Sequence, residues 1–209
     1  MKASEVAEQI VEHGESEQED KLRKLAALWI GILALLLAIS GLGGGNAAED
    51  MVDYNVRAND TWAFYQAKNI RQTANELAAD QLETQLLIHE KTLSAPARRA
   101  IAAKIAGYKA TAARYDDEPD AKAPNDLLKG EGKKQLKAQA AFYETQRERA
   151  GEQDSNFDFA DVLLQIAVVV GSVAILASSR SMLTLSFVSG TLGALLAFNG
   201  YTLLVALPW

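Results

Sequence analysis

The chain has 209 residues, a net charge of -6 and no cysteine. Without thiols there can be no disulfide, thiolate zinc site, iron-sulfur cluster or cysteine nucleophile. Phosphate binding needs a clustered cationic surface, and the acidic balance without one argues against a nucleic-acid partner.

Residues 1–24 are charged, with Glu5, Glu8, Glu12, Glu15, Glu17, Glu19 and Asp20 giving way to Lys21, Arg23 and Lys24, and they read as a mobile tail. Residues 25–45 form the first apolar span, with Trp29 as an interfacial anchor near its entrance and Gly41-Leu42-Gly43-Gly44-Gly45 at its end. Apolar runs of about 20 residues match the hydrocarbon thickness of a bilayer, whereas buried helices of soluble proteins keep a polar face. A cleaved leader ending near Gly45-Asn46-Ala47-Ala48 is the competing reading. Such leaders carry apolar runs of only about 7 to 15 residues, so an uncleaved anchor fits better.

Residues 46–158 form a polar, helix-friendly middle. From Ala47 to about Leu93 there is no proline or glycine, which predicts an outgoing helix of roughly 70 Å at 1.5 Å per residue. Ala63, Ala67, Ile70, Ala74 and Leu77 alternate spacings of four and three, the pattern of a coiled-coil seam whose small residues admit close helix approach. Charge placed there at Ala67 or Ala74 is expected to disrupt the stalk. Ser94-Ala95-Pro96 predicts a break and restart, followed by a helix from Pro96 to about Tyr115. Asp116 to Pro124 reads as a solvated loop, and Asn125 or Asp126 is placed to cap the next helix. That helix runs, despite Gly130 and Gly132 near its start, through Leu136, Ala140, Phe142 and Tyr143 toward the second span. The return over the same height implies an antiparallel bundle.

The second span covers residues 159–179, introduced by Phe157 and Phe159, and the third covers residues 182–207. Ser178-Ser179-Arg180-Ser181 between them forces a tight hairpin, and Pro208-Trp209 closes the chain with an aromatic. The sequence is therefore read as all-α: an integral membrane protein with three transmembrane helices and an extended helical bundle or coiled-coil-like stalk between the first and second. Lys21, Arg23, Lys24 and Arg180 fall on one side and the acidic Glu49, Asp50, Asp53, Glu152, Asp154 and Asp158 on the other, which places the amino terminus in the cytoplasm.

Candidate sites are weak in chemistry. His13 and His89 are far apart, and no serine elbow or phosphate-cradling glycine loop occurs. The acidic run Asp116 to Asp120 lacks the glycine turn and distal glutamate of a helix-loop-helix calcium site. No catalytic residue, cofactor, metal or small-molecule substrate is expected. Interface candidates are clearer. Ser186, Gly190 and Ala194, with Ser189, Gly193 and Ala197 beside them, make a small-residue face on the third span. That face serves either self-association or, the favoured reading, packing on Ala167 and Gly171 of the second span. Asn199 and Gln165 are amides inside spans and need partners, in each other or across subunits. Trp62, Phe64 and Tyr65 serve either stalk packing against Phe142 and Tyr143 or docking.

The stretch Asn59-Asp60-Thr61-Trp62-Ala63-Phe64-Tyr65-Gln66-Ala67-Lys68-Asn69-Ile70-Arg71 closely resembles the hallmark of a bacterial membrane protein family known as domain of unknown function 4337, in which tyrosine is expected at the position of Phe64. The resemblance covers nearly the whole chain. It implies the same order of charged tail, one span, helical middle and two closing spans, and a bacterial inner-membrane location, but no activity and no site residue.

The function expected from the sequence is a non-enzymatic membrane scaffold or accessory subunit. It self-assembles, or docks onto a larger membrane complex, through its stalk and membrane helices. The alternative is a small oligomeric channel or transporter lined by Gln165, Ser172, Asn199 and Thr202. The direction in which Asn199 points discriminates the two.

Overall fold

The computed structural model describes the backbone of residues 3–207 and the side chains of residues 20–207. His13, Pro208, Trp209 and most of the charged tail of residues 1–24 thus fall outside the described side chains. Among the described residues there are four helices and no strand: α1 (Ala3–Ile88), α2 (Ala95–Asp116), α3 (Lys133–Leu176) and α4 (Arg180–Thr202). Three of them, α1, α3 and α4, are long and apolar enough to cross a membrane.

Local chemistry sets the breaks. Ser94 caps α2, its hydroxyl accepting from the Ala97 amide, with Pro96 in the first turn where its missing N–H costs nothing. Ser178 turns left-handed at φ 46° after α3, and the Ser179 side chain accepts from Met182 N–H to start α4. Leu203, at φ 48°, ends α4 before the expected limit at Leu207.

The chain divides into two compact units, one of residues 1–50 with 149–209 and one of residues 51–148. In the first, α1, α3 and α4 pack on small residues. Ala26, Ala174 and Leu183 form one buried cluster and Leu33, Leu164 and Ala167 another, with Trp29 packed against both. The remaining faces of these segments carry exposed Leu28, Leu35, Leu42, Val169, Leu176 and Leu195.

Gly43 and Gly44, inside continuous α1 helix, do not end it. Together with Gly200 of α4 they make room for Phe157 of α3, which is 2% exposed. A Cβ on Gly43 would stand 2.6 Å from the Phe157 ring. Glycine in a helix costs roughly 1 kcal/mol relative to alanine, a cost offset here by aromatic burial and close backbone approach.

In the second unit, α1 runs antiparallel to α2 and α3. The expected loop of Asp116 to Pro124 is one from Asp117 on, exposed at most positions and buried at none, but Asn125 and Asp126 do not cap the next helix, which starts only at Lys133. Asp126 instead closes a turn by accepting from Leu128 N–H, and Pro119 bridges Gly130. Gly130 sits at φ 105°, and Gly132 lies against the backbone at Asp117 and Glu118. A side chain at Gly132 would collide there, so helical geometry resumes only at Lys133.

Candidate functional site

The Trp62–Lys68 stretch of α1 is tied to α3 and to the loop before it. Trp62 Nε1 donates to Glu144 Oε1 at 2.8 Å, and its ring meets Tyr65 edge-on with centroids 5.5 Å apart. Tyr143 stacks on Tyr54 rather than on this trio, at 6.5 Å. Lys68 is 4% exposed; its ammonium donates to Glu118 Oε2 at 2.8 Å and lies 5.3 Å from the centroid of the Phe64 ring. Lys133 lies over Tyr65, donates to Asn69 and approaches Asp116.

Glu118 is the centre of the folded loop. Its carbonyl accepts from the Glu131 and Gly132 amides, its own N–H donates to Gln135 Oε1, and Gln135 Nε2 donates to Asp117. The hydrogen bond from Lys68 holds the Glu118 carboxyl below its ordinary value, and that from Gln135 does the same for Asp117. The loop is solvated as expected, but its tie to Lys68 was not foreseen, because a lysine in a helix reads as surface; the signal was its place inside the aromatic stretch.

The face α1 turns toward its own unit mixes small, aromatic and polar residues. Ala58, Tyr65, Gln72 and Ala79, seven apart, are buried or half-buried there, together with Lys68. The apolar seam lies elsewhere. Ile70 is 69% and Leu77 57% exposed, Ala63 and Ala74 are exposed and Ala67 is half-buried. The spacing of the seam is that of a coiled coil, and apart from half-buried Ala67 its residues face out of their own unit.

On α4 the small residues turn inward. Ser186, Ser189, Gly190 and Gly193 are buried and Ala194 half-buried. A Cβ on Gly190 would meet Leu33, Trp29 and Ala167, and one on Gly171 would meet Ser186. Ser186 links three helices: its hydroxyl accepts from Trp29 Nε1 at 3.2 Å and donates to the Ala167 carbonyl at 2.7 Å. Ser189 donates to the Leu163 carbonyl. The structure brings this face together with Ala167 and Gly171 of the same chain.

Asn199 does not meet Gln165. Its amide donates to Asn156 Oδ1 at 2.9 Å and to the Val205 carbonyl at 3.0 Å, while its oxygen accepts from Val205 N–H. One side chain therefore ties α4 to α3 and folds the chain end back as a cap. Gln165 is exposed on α3.

A family model described as domain of unknown function (DUF4337) matches residues 22–203. The chain belongs to this family. The match takes in all three apolar segments, the Trp62–Lys68 stretch, the Glu118 loop and the small-residue face of α4. No curated protein and no solved structure matches the chain. Membership in the DUF4337 family brings no activity with it, so the surfaces described above carry the functional argument.

Proposed function

We propose that this DUF4337 protein is a non-enzymatic scaffold or accessory subunit of the bacterial inner membrane that self-assembles through the outward seam of α1. Its amino terminus is cytoplasmic and its helical middle periplasmic, following the basic residues Lys21, Arg23, Lys24 and Arg180. Apolar side chains on the outer faces of α1, α3 and α4 support the anchor, since a contiguous surface of that kind is stable against lipid and not against water.

The observation that carries the assembly reading is the exposure of Ile70 and Leu77 on a heptad-spaced stripe with Ala63, Ala67 and Ala74. A second copy of the chain is the occupant that fits. In a parallel pair the flanking positions set Gln66 opposite Arg71 and Thr73 opposite Ala78, which opposes no like charges. The seam is short, about two heptads, but copies anchored in one bilayer meet at high effective concentration.

The channel alternative needs a polar lining free to face an axis. Asn199 is turned into its own chain, and the Ser172 and Thr202 hydroxyls donate to the Val168 and Phe198 carbonyls of their own helices. These bonds support the scaffold over the pore.

The test is native mass spectrometry of the protein extracted gently from its membrane. A defined homo-oligomer or a complex with other proteins, broken by Ala67→Asp with Ala74→Asp, is expected. A bare monomer overturns the proposal.

A further inference from the structure

Where the apolar segment of α1 begins, it meets the first turns of α4 around an open groove of about 470 Å³. Lys21 and Arg180 line it together with the apolar Leu25, Leu183 and Phe187 and with Thr184. We propose that this groove binds one anionic phospholipid, its phosphate between Lys21 and Arg180 and the upper part of an acyl chain on Leu25 and Phe187.

Three features point to a lipid. Two cations from different helices converge on one groove, which suits a single phosphodiester better than a dispersed anionic surface. The apolar wall continues onto exposed Leu28, so an acyl chain would cover surface that a soluble phosphate leaves bare. The floor is preorganised: Leu183 belongs to a buried cluster and Phe187 stacks on Trp29 at 4.3 Å. The neighbouring Arg23 donates to Ser178 Oγ of the hairpin.

The site rests on the reading of these helices as membrane spans, which alkaline carbonate extraction of the wild-type protein tests by itself. Release from the membrane overturns anchor and site together. For the site alone, full-length protein in phosphatidylcholine nanodiscs is titrated with phosphatidylglycerol, and bound lipid is read by native mass spectrometry. Lys21, Arg180 and Thr184 are exposed, and the melting temperature of each variant in phosphatidylcholine is read as the control that separates loss of lipid from loss of fold.

Wild type is expected to retain phosphatidylglycerol over phosphatidylcholine, and Lys21→Gln with Arg180→Gln to weaken it by about 30-fold. Thr184→Trp, which fills the groove and leaves both cations, is expected to weaken it comparably. Lys24→Gln, outside the groove, is expected to have a much smaller effect. Equal losses from Lys24→Gln and Lys21→Gln would show a diffuse basic belt and overturn the site. Wild-type binding by Thr184→Trp, or displacement of the lipid by inorganic phosphate, would overturn it as well.

Discussion

The ammonium of Lys68 donates to Glu118 Oε2 at 2.8 Å, so a residue in the middle of the longest helix holds the loop that joins α2 to α3. A buried cation is tolerable only while its acceptors stay in place. Removing Glu118 leaves the buried ammonium only the more distant Glu131 carboxylate at 3.7 Å, whereas removing the ammonium leaves a partly exposed carboxylate that water can solvate.

Glu118→Ala is therefore expected to destabilise the second unit by about 2–3 kcal/mol, and Lys68→Met by less. Denaturant unfolding of the full chain in detergent measures both. The double variant is expected to resemble Lys68→Met alone; a fully additive double loss would contradict the pairing.

The same bond predicts a response to acid. The Glu118 and Asp117 carboxyls are held below their ordinary values of 4.5 and 3.8, so their stabilisation is present above those values and is lost as pH falls through the lower folded ones. Asp154 runs the other way. Burial, and then Asp158, raise its carboxyl above 3.8, so its contribution is full below that pH and is lost as pH rises through the raised value. The protection of the Glu131 and Gly132 amides, measured relative to the intrinsic exchange that itself slows in acid, is expected to fall as pH is lowered, and Asp154→Asn to stabilise the fold at neutral pH. Protection factors at those amides that do not change with pH would contradict the Glu118 account.

Phe157 fills space that only glycine leaves open at Gly43 and Gly200. Gly43→Ala and Gly200→Ala are each expected to cost about 1–3 kcal/mol by overpacking. Phe157→Leu, which shortens the ring side chain, is expected to recover part of the loss in either background. Thermal unfolding in detergent reads this, and a Gly43→Ala protein as stable as wild type would contradict the packing.

Asn199 serves as a cap for the chain end. Asn199→Leu removes the acceptor of the Val205 N–H and leaves the Val205 carbonyl without its donor. Faster hydrogen exchange at Val205 is expected, at a stability cost of about 1–2 kcal/mol. Unchanged protection at Val205 would show that the cap holds without the side chain.

Most of the helical layout was legible because long apolar runs, Ser94-Ala95-Pro96 and the serine hairpin each have a local physical meaning. The inward turn of Ser186 and Gly190 onto Ala167 and Gly171 was legible too, since small residues mark close approach. Three things were not. Gly43 and Gly44 read only as the end of the apolar span, because their partner Phe157 lies far away in sequence. Gly130 and Gly132 read as tolerated helix residues because the contact that forbids a side chain there comes from Asp117 and Glu118. The seam of α1 was found by its spacing, but spacing does not say which side of a helix the rest of the chain covers. The inner side is held by Tyr65, Lys68 and Gln72, whose polar groups carry little weight in a hydrophobic pattern.

The absence of cysteine from the sequence makes the outward seam directly testable, because each introduced thiol is the only one in the chain. Ile70→Cys and Leu77→Cys lie on the seam, and exposed Glu76→Cys lies beside it. Mild oxidation in native membranes is expected to give disulfide-linked dimers with Ile70→Cys and with Leu77→Cys, and little with Glu76→Cys. No cross-link at either seam position, or equal cross-linking at all three, would contradict assembly through α1.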